Sequence, residues 1–185
     1  MAFLNRTRLR PLLRFLACCC LALGVQTQAQ EAQEHQDKPA YLYRFMSYVE
    51  WPAESLPAAG EPLVIAVAGA DDVADELSRI VALRQVNGHP LAVRRLGTAD
   101  TIDGLHVLFV GDRARTAALL RTAEARPVLT VTDARGALPT GSVIDFHPFE
   151  GRLRFDVSLS AASRKQLKVS SRLLSLAVHV EGTAQ

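Results

Sequence analysis

Apolar positions near the start of the folded region recur at helical spacing. Leu42, Phe45, Met46 and Val49 stand at i, i+3, i+4 and i+7 and form one stripe. Tyr41, Tyr48 and Trp51, with Arg44 among them, form a second stripe about 130° around, at 100° per residue. The pattern predicts a helix from Pro39 to about Glu50, capped by Asp37, with Pro39 in its first turn and Pro52 preventing its continuation. Such a helix needs contacts on two sides.

Beyond a Pro- and Ala-rich loop (52–62) the pattern changes to short, wholly apolar runs. Leu63 to Ala68 reads as a strand buried on both faces, and Gly69 ends it. Asp71 is placed to cap a helix running to about Leu83, with Val73, Leu77, Ile80 and Val81 inward. Asn87-Gly88-His89-Pro90 is a turn cluster, and Leu91 to Leu96 a strand. His106 to Val110 is a further apolar strand closed by Gly111. A helix from Arg113 to Ala125, with Leu119 and Leu120 inward, and a strand from Val128 to Thr132 follow. Strands separated by helices imply parallel crossovers.

The last third alternates instead. Leu153, Phe155, Val157 and Leu159 share one face, and Arg152, Arg154, Asp156 and Ser158 the other. With a strand from Ser142 to His147, joined through Phe149-Glu150-Gly151, this predicts an antiparallel hairpin. His147-Pro148 reads as a turn, Ser160 as the cap of a short helical turn, and Ser170 or Ser171 as the cap of a final helix from Arg172 to about Glu181. The expected fold class is therefore α/β: a layered mixed sheet with helices on both faces, a C-terminal antiparallel hairpin and a final helix. Residues 39–182 read as one domain, preceded by a polar, disordered leader over 30–38.

The first 29 residues hold four arginines and no acid, then an apolar run from Phe15 to Val25, then Thr27 and Ala29 at the −3 and −1 positions of a signal-peptidase site. Residues 1–29 read as a cleaved signal peptide, which predicts a periplasmic product. All three cysteines, Cys18, Cys19 and Cys20, lie in that run. A lipoprotein with one of them acylated fits less well, because only Phe15-Leu16-Ala17 separates Arg14 from Cys18. Without residues 1–29 the chain has no cysteine for a disulfide or thiol chemistry. Its net charge falls from +2 to −2, which argues against a nucleic-acid partner.

Catalytic and cofactor motifs are missing. Gly69-Ala-Asp-Asp follows a strand and opens a helix, but it lacks the glycine pattern of a dinucleotide site and the lysine of a P-loop, and its acids would repel phosphate. The five histidines are scattered, with none at ligand spacing to another His, Cys or Glu. His106 reads as a rim or core residue. No G-x-S-x-G elbow occurs. No cofactor, metal or catalytic residue is predicted. There remains Phe45-Met-Ser-Tyr-Val-Glu-Trp-Pro52, whose aromatics either fill the core or leave a patch for a partner, with Arg44 beside it.

That segment, the strand Pro62 to Gly69, His106-Val-Leu-Phe-Val110, Val128-Leu-Thr-Val131 and the ending Val169-Ser-Ser-Arg-Leu-Leu-Ser-Leu-Ala177 together resemble, in order, the YfiR-like family of periplasmic repressors. The resemblance covers about residues 39–182. It implies an α/β domain, a homodimer, that binds the periplasmic sensor domain of an inner-membrane diguanylate cyclase and holds it inactive. Cyclic di-GMP and biofilm formation then fall. An outer-membrane lipoprotein that sequesters the repressor is the second partner implied. Family members often carry disulfides, one using a cysteine where this chain has Leu105, so redox-tuned stability does not transfer here.

Arg44, Phe45, Tyr48, Glu50, Trp51 and Pro52 are the expected partner-binding residues, either in contact or as support for the surface. An exposed role for Trp51 predicts that Trp51→Ala abolishes repression with the fold intact; a collapsed fold would place it in the core. The competing reading is a periplasmic small-molecule sensor module, with its cleft at the carboxyl ends of 63–68 and 106–110.

Overall fold

The computed structural model describes residues 37–134 and 137–182. The signal peptide read over 1–29, and all of the leader up to residue 36, lie outside the described residues.

Helix α1 occupies 37–46. It ends earlier than the apolar spacing predicts, and Pro52 is not the cause. Ser47 and Tyr48 turn, their N–H groups donating to Arg44 O and Phe45 O at 3.0 Å, and Val49–Glu50 becomes strand β1. That strand pairs antiparallel with Lys168–Val169, so a tertiary ladder takes residues that the helical spacing claimed.

The main sheet has eight strands. In chain order they are β2 (Leu63–Ala68), β3 (Gln85–Val86), β4 (His89–Arg95), β5 (Val107–Val110), β6 (Leu129–Thr132), β7 (Ile144–Phe149), β8 (Arg152–Ser158) and, after the Lys168–Val169 strand β9, β10 (Val180–Glu181). Their spatial order is β10-β8-β7-β6-β5-β2-β4-β3. Strands β4, β2, β5, β6 and β7 run parallel, and β3 and β8 return antiparallel at either side. The expected mixed α/β sheet is thus present. Both hairpins close on two residues of positive φ, Asn87 (51°) with Gly88 (83°) and Glu150 (51°) with Gly151 (72°), the combination that matches strand twist.

Alternation along the strands sorts the core into two layers. Leu63, Ile65, Val67, Phe109, Leu129 and Val131 face α1 and α2 (Asp71–Val81), whose Leu42, Phe45, Met46, Val73 and Leu77 are buried against them. Ala66, Ala68, Leu108 and Val110 face the other way, in a second cluster with Ala123 and the half-buried Leu119 at and near the end of α3 (Arg113–Thr122). Helices therefore lie on both faces.

Several boundaries differ from the sequence reading. Asp71 lies in the first turn of α2, and the cap position falls to Ala70, which makes no side-chain bond. His147-Pro148 is inside β7, not a turn, because the hairpin ladder continues to Phe149 opposite Arg152. Ser158 caps α4 (Leu159–Arg164) by accepting from Ala161 N, in place of Ser160. Ser170 caps α5, but that helix is only Ser171–Leu174. Its expected continuation is pulled onto the edge of β8: Val178 N donates to Phe155 O at 2.9 Å, Val157 N to His179 O at 3.0 Å, and the Asp156 carboxylate accepts from His179 N.

Connections leave β2 toward β4 on one side, while β5 lies on the other, so the carboxyl ends of β2 and β5 are where an open α/β sheet binds ligands. Among the described residues the loops after β2 and β5 touch there. Gly111 N and Asp112 N both donate to Ala68 O, at 2.9 and 3.3 Å. A Cβ on Gly69 (φ 68°) would overlap the Asp112 side chain, and one on Gly111 would stand 2.9 Å from Ala70 Cβ. Gly69→Ala combines a left-handed backbone with overpacking and should cost about 2–4 kcal/mol. A denaturant midpoint that does not move would show that the two loops part easily.

Candidate partner-binding surface

The segment 44–52 is held from beneath by aromatic packing. Phe45 (1% exposed) contacts Phe155 edge-on at 5.0 Å and stacks on Phe146 at 5.6 Å, with Tyr41 5.9 Å away. Trp51 (7% exposed) donates its indole N–H to His106 O at 3.1 Å. These two residues are core, and the structure uses them to carry the chain above them. Pro52 starts the short 3-10 turn Ala53–Ser55.

Arg44 and Glu50 are exposed, Tyr48 and Pro52 half-buried. Glu50 stands in register with Lys168 on β9, and Ser170 N donates to Tyr48 O at 2.9 Å. The six predicted residues therefore divide: Arg44, Tyr48, Glu50 and Pro52 reach the surface, and Phe45 and Trp51 support it. The β1–β9 ladder fixes its outer part. Lys168 joins the surface; its register with Glu50 depends on a pairing across more than a hundred residues and has no local signal.

His106 is the hydrogen-bonded core residue expected from its place at the head of an apolar run; its partners are what the sequence does not show. Its Nδ1 accepts from Val64 N at 3.0 Å, so the proton sits on Nε2. Burial lowers its pKa below 6.5, while a hydrogen bond with the Ser55 backbone opposes the shift. The ring joins β2 to the 3-10 turn, and its own carbonyl holds Trp51. Protonation would remove the acceptor for Val64 N. The stability it supplies is complete above pH 6.5 and is lost as pH falls from there through the lowered folded value.

Three further buried polar groups carry the frame. Lys38 at the start of α1 pairs with Asp133 after β6 at 2.7 Å. Lys165 donates to Ala123 O at the C-terminus of α3, and burial lowers its pKa to about 8. Asp145 on β7 is fully buried. Its Oδ1 accepts from Thr132 Oγ1 at 2.5 Å and from Ala134 N at 3.0 Å, and its Oδ2 has no hydrogen-bond partner among the described residues. Burial raises its pKa from 3.8 to about 6.

Among the described residues no group of three or more His, Cys, Asp or Glu could hold a metal, and no helix is long and apolar enough to cross a membrane. The class this architecture defines is a mixed α/β sheet domain. The family model described as YfiR/HmsC-like matches residues 35–178, and the chain belongs to that family. The family is periplasmic, regulatory rather than catalytic, works around diguanylate cyclase signalling and acts with a partner protein. No curated relative matches the chain.

Two outcomes check this construction. Trp51→Ala should lower stability by about 3–5 kcal/mol through lost core volume, and Trp51→Phe by about 1 kcal/mol through the lost indole hydrogen bond, since the His106 carbonyl keeps its bond from Leu129 N at 2.9 Å. The expectation of an unperturbed Trp51→Ala fold does not survive its burial. Asp145 binds its proton more tightly folded than unfolded, so its contribution to stability falls as pH rises from about 4 to about 6. Asp145→Asn should therefore gain on the parent across that window, read as the difference in melting temperature; a constant difference would contradict the buried carboxyl.

Proposed function

We propose that this protein binds the periplasmic domain of an inner-membrane diguanylate cyclase and holds it inactive, acting as a homodimer exported through a cleaved signal peptide. Family membership supports the setting. The observation that carries the site is the division within 44–52: charged Arg44 and Glu50 stand outward on a backbone clamped by buried Phe45 and Trp51. A clamped surface binds with little ordering cost. Repression follows if that surface meets the inactive cyclase conformation better than the active one, since equal affinity for both shifts nothing. An outer-membrane lipoprotein competing for the same surface would relieve it.

Against the small-molecule reading stands the contact between the Gly69 and Gly111 loops at the switch point it requires, where Gly111 N and Asp112 N bond to Ala68 O. A groove of about 610 Å³ does exist at the opposite strand ends, lined by Leu56, Pro62, Val64, Leu105 and Val128, but it is not the switch point of the sheet.

Arg44→Glu combined with Glu50→Arg should weaken binding to the cyclase's periplasmic domain at least tenfold and raise cellular cyclic di-GMP, with the melting temperature unchanged within a few degrees. Unaltered binding by that variant removes the site. Absence of binding by the parent at micromolar concentration removes the function.

A further inference from the structure

Strand β4 is half-exposed along Leu91–Val93, although it lies inside the sheet order. The reason is that its neighbour β3 covers only His89 and Pro90. On its other side β4 is fully paired with β2 from Leu91 to Arg95. Leu96 N donates to Val67 O, which fixes the alternation: Ala92 and Arg94 turn their backbone groups toward β2, and Leu91, Val93 and Arg95 turn theirs outward. No strand among the described residues takes those outward N–H and C=O groups.

Edge strands of this kind are ordinarily guarded by charge. The two arginines here are tied back. Arg95 pairs with Asp75 and Asp71 on α2, and Arg94 donates to Thr101 O at 2.8 Å. Leu91 and Val93, packed against the α1–α2 layer, remain partly open beside the unguarded edge.

We propose that this edge pairs antiparallel with the same edge of a second copy, about a twofold axis at Val93. The register is selected by the chain itself. Outward residues must face outward residues, so Val93 meets the second copy's Val93, and Leu91 meets its Arg95. Shifting two residues one way places Arg94 opposite Arg94, a like-charge pair. Shifting two the other way runs into β3, which already occupies His89. A twofold axis repeats each contact, so one strand closes the assembly without leaving an open end. The inference names the surface for the dimer in the reading above and is independent of cyclase binding.

The test uses the exported protein from Gln30 onward, which has no cysteine of its own, examined by light scattering and by mild oxidation. The parent should be a dimer at micromolar concentration. Val93→Pro removes the outward N–H while leaving an apolar side chain against the core, and should give a monomer with unchanged far-ultraviolet circular dichroism. Val93→Cys should form a disulfide-linked dimer, because the paired Cα atoms would lie about 5.5 Å apart. Ala92→Cys, opposite Arg94, should not. If Val93→Pro fails to fold, cross-linking at 93 against 92 decides.

A monomeric parent overturns the proposal, as does a dimer that Val93→Pro leaves intact or that cross-links equally from both positions. A monomeric parent whose cyclase binding is lost in Val93→Pro would assign the edge to another protein's strand and overturn it too. Cyclase capture by a monomeric parent would leave repression standing while the dimer falls.

Discussion

The hydrogen bond from the Trp51 indole to the His106 carbonyl, with the His106 ring bonded to Val64 N, is the junction on which the rest of the surface depends. It fixes the segment leaving β1 to the first residues of β5 and β2, three stretches far apart in sequence. Indole burial provides the energy, and the polar contacts set the position: an indole and an imidazole are tolerated inside only because each finds its partner. Above this junction the backbone of 44–52 has little freedom, so its exposed charges are presented in one arrangement.

Much of the frame was legible because the signals were local. Wholly apolar runs at 63–68, 107–110 and 129–132 mark strands covered on both faces, and the alternation from Arg152 to Val157 marks a hairpin whose Glu150-Gly151 turn has the required backbone. What misled was competition from distant partners. Helical spacing extends to Val49, yet β9 draws Val49 and Glu50 into a ladder; the final helix has apolar residues enough to continue, yet the open edge of β8 and the Asp156 carboxylate take residues 178–181. No window of sequence contains both competitors.

The site was readable to the same degree. The residue types at 44–52 drew attention to the segment, but Trp51 is as apolar as it is amphipathic, and nothing local decides whether it faces a partner or the core. Depth is set by His106, more than fifty residues away. The buried carboxyl of Asp145 shows the same limit: in sequence Asp145 and His147 resemble the solvent side of an alternating strand, yet Asp145 is fully buried and its carboxylate is held by Thr132 and Ala134 at the end of β6.

The wedged loops at Gly69 and Gly111 have a mechanical meaning. Here main chain bears directly on main chain, so the two loops have nothing to close upon. A closing movement at this point is therefore not on offer, and in the complex proposed above selection between the cyclase's shapes falls to the fit of the 44–52 surface.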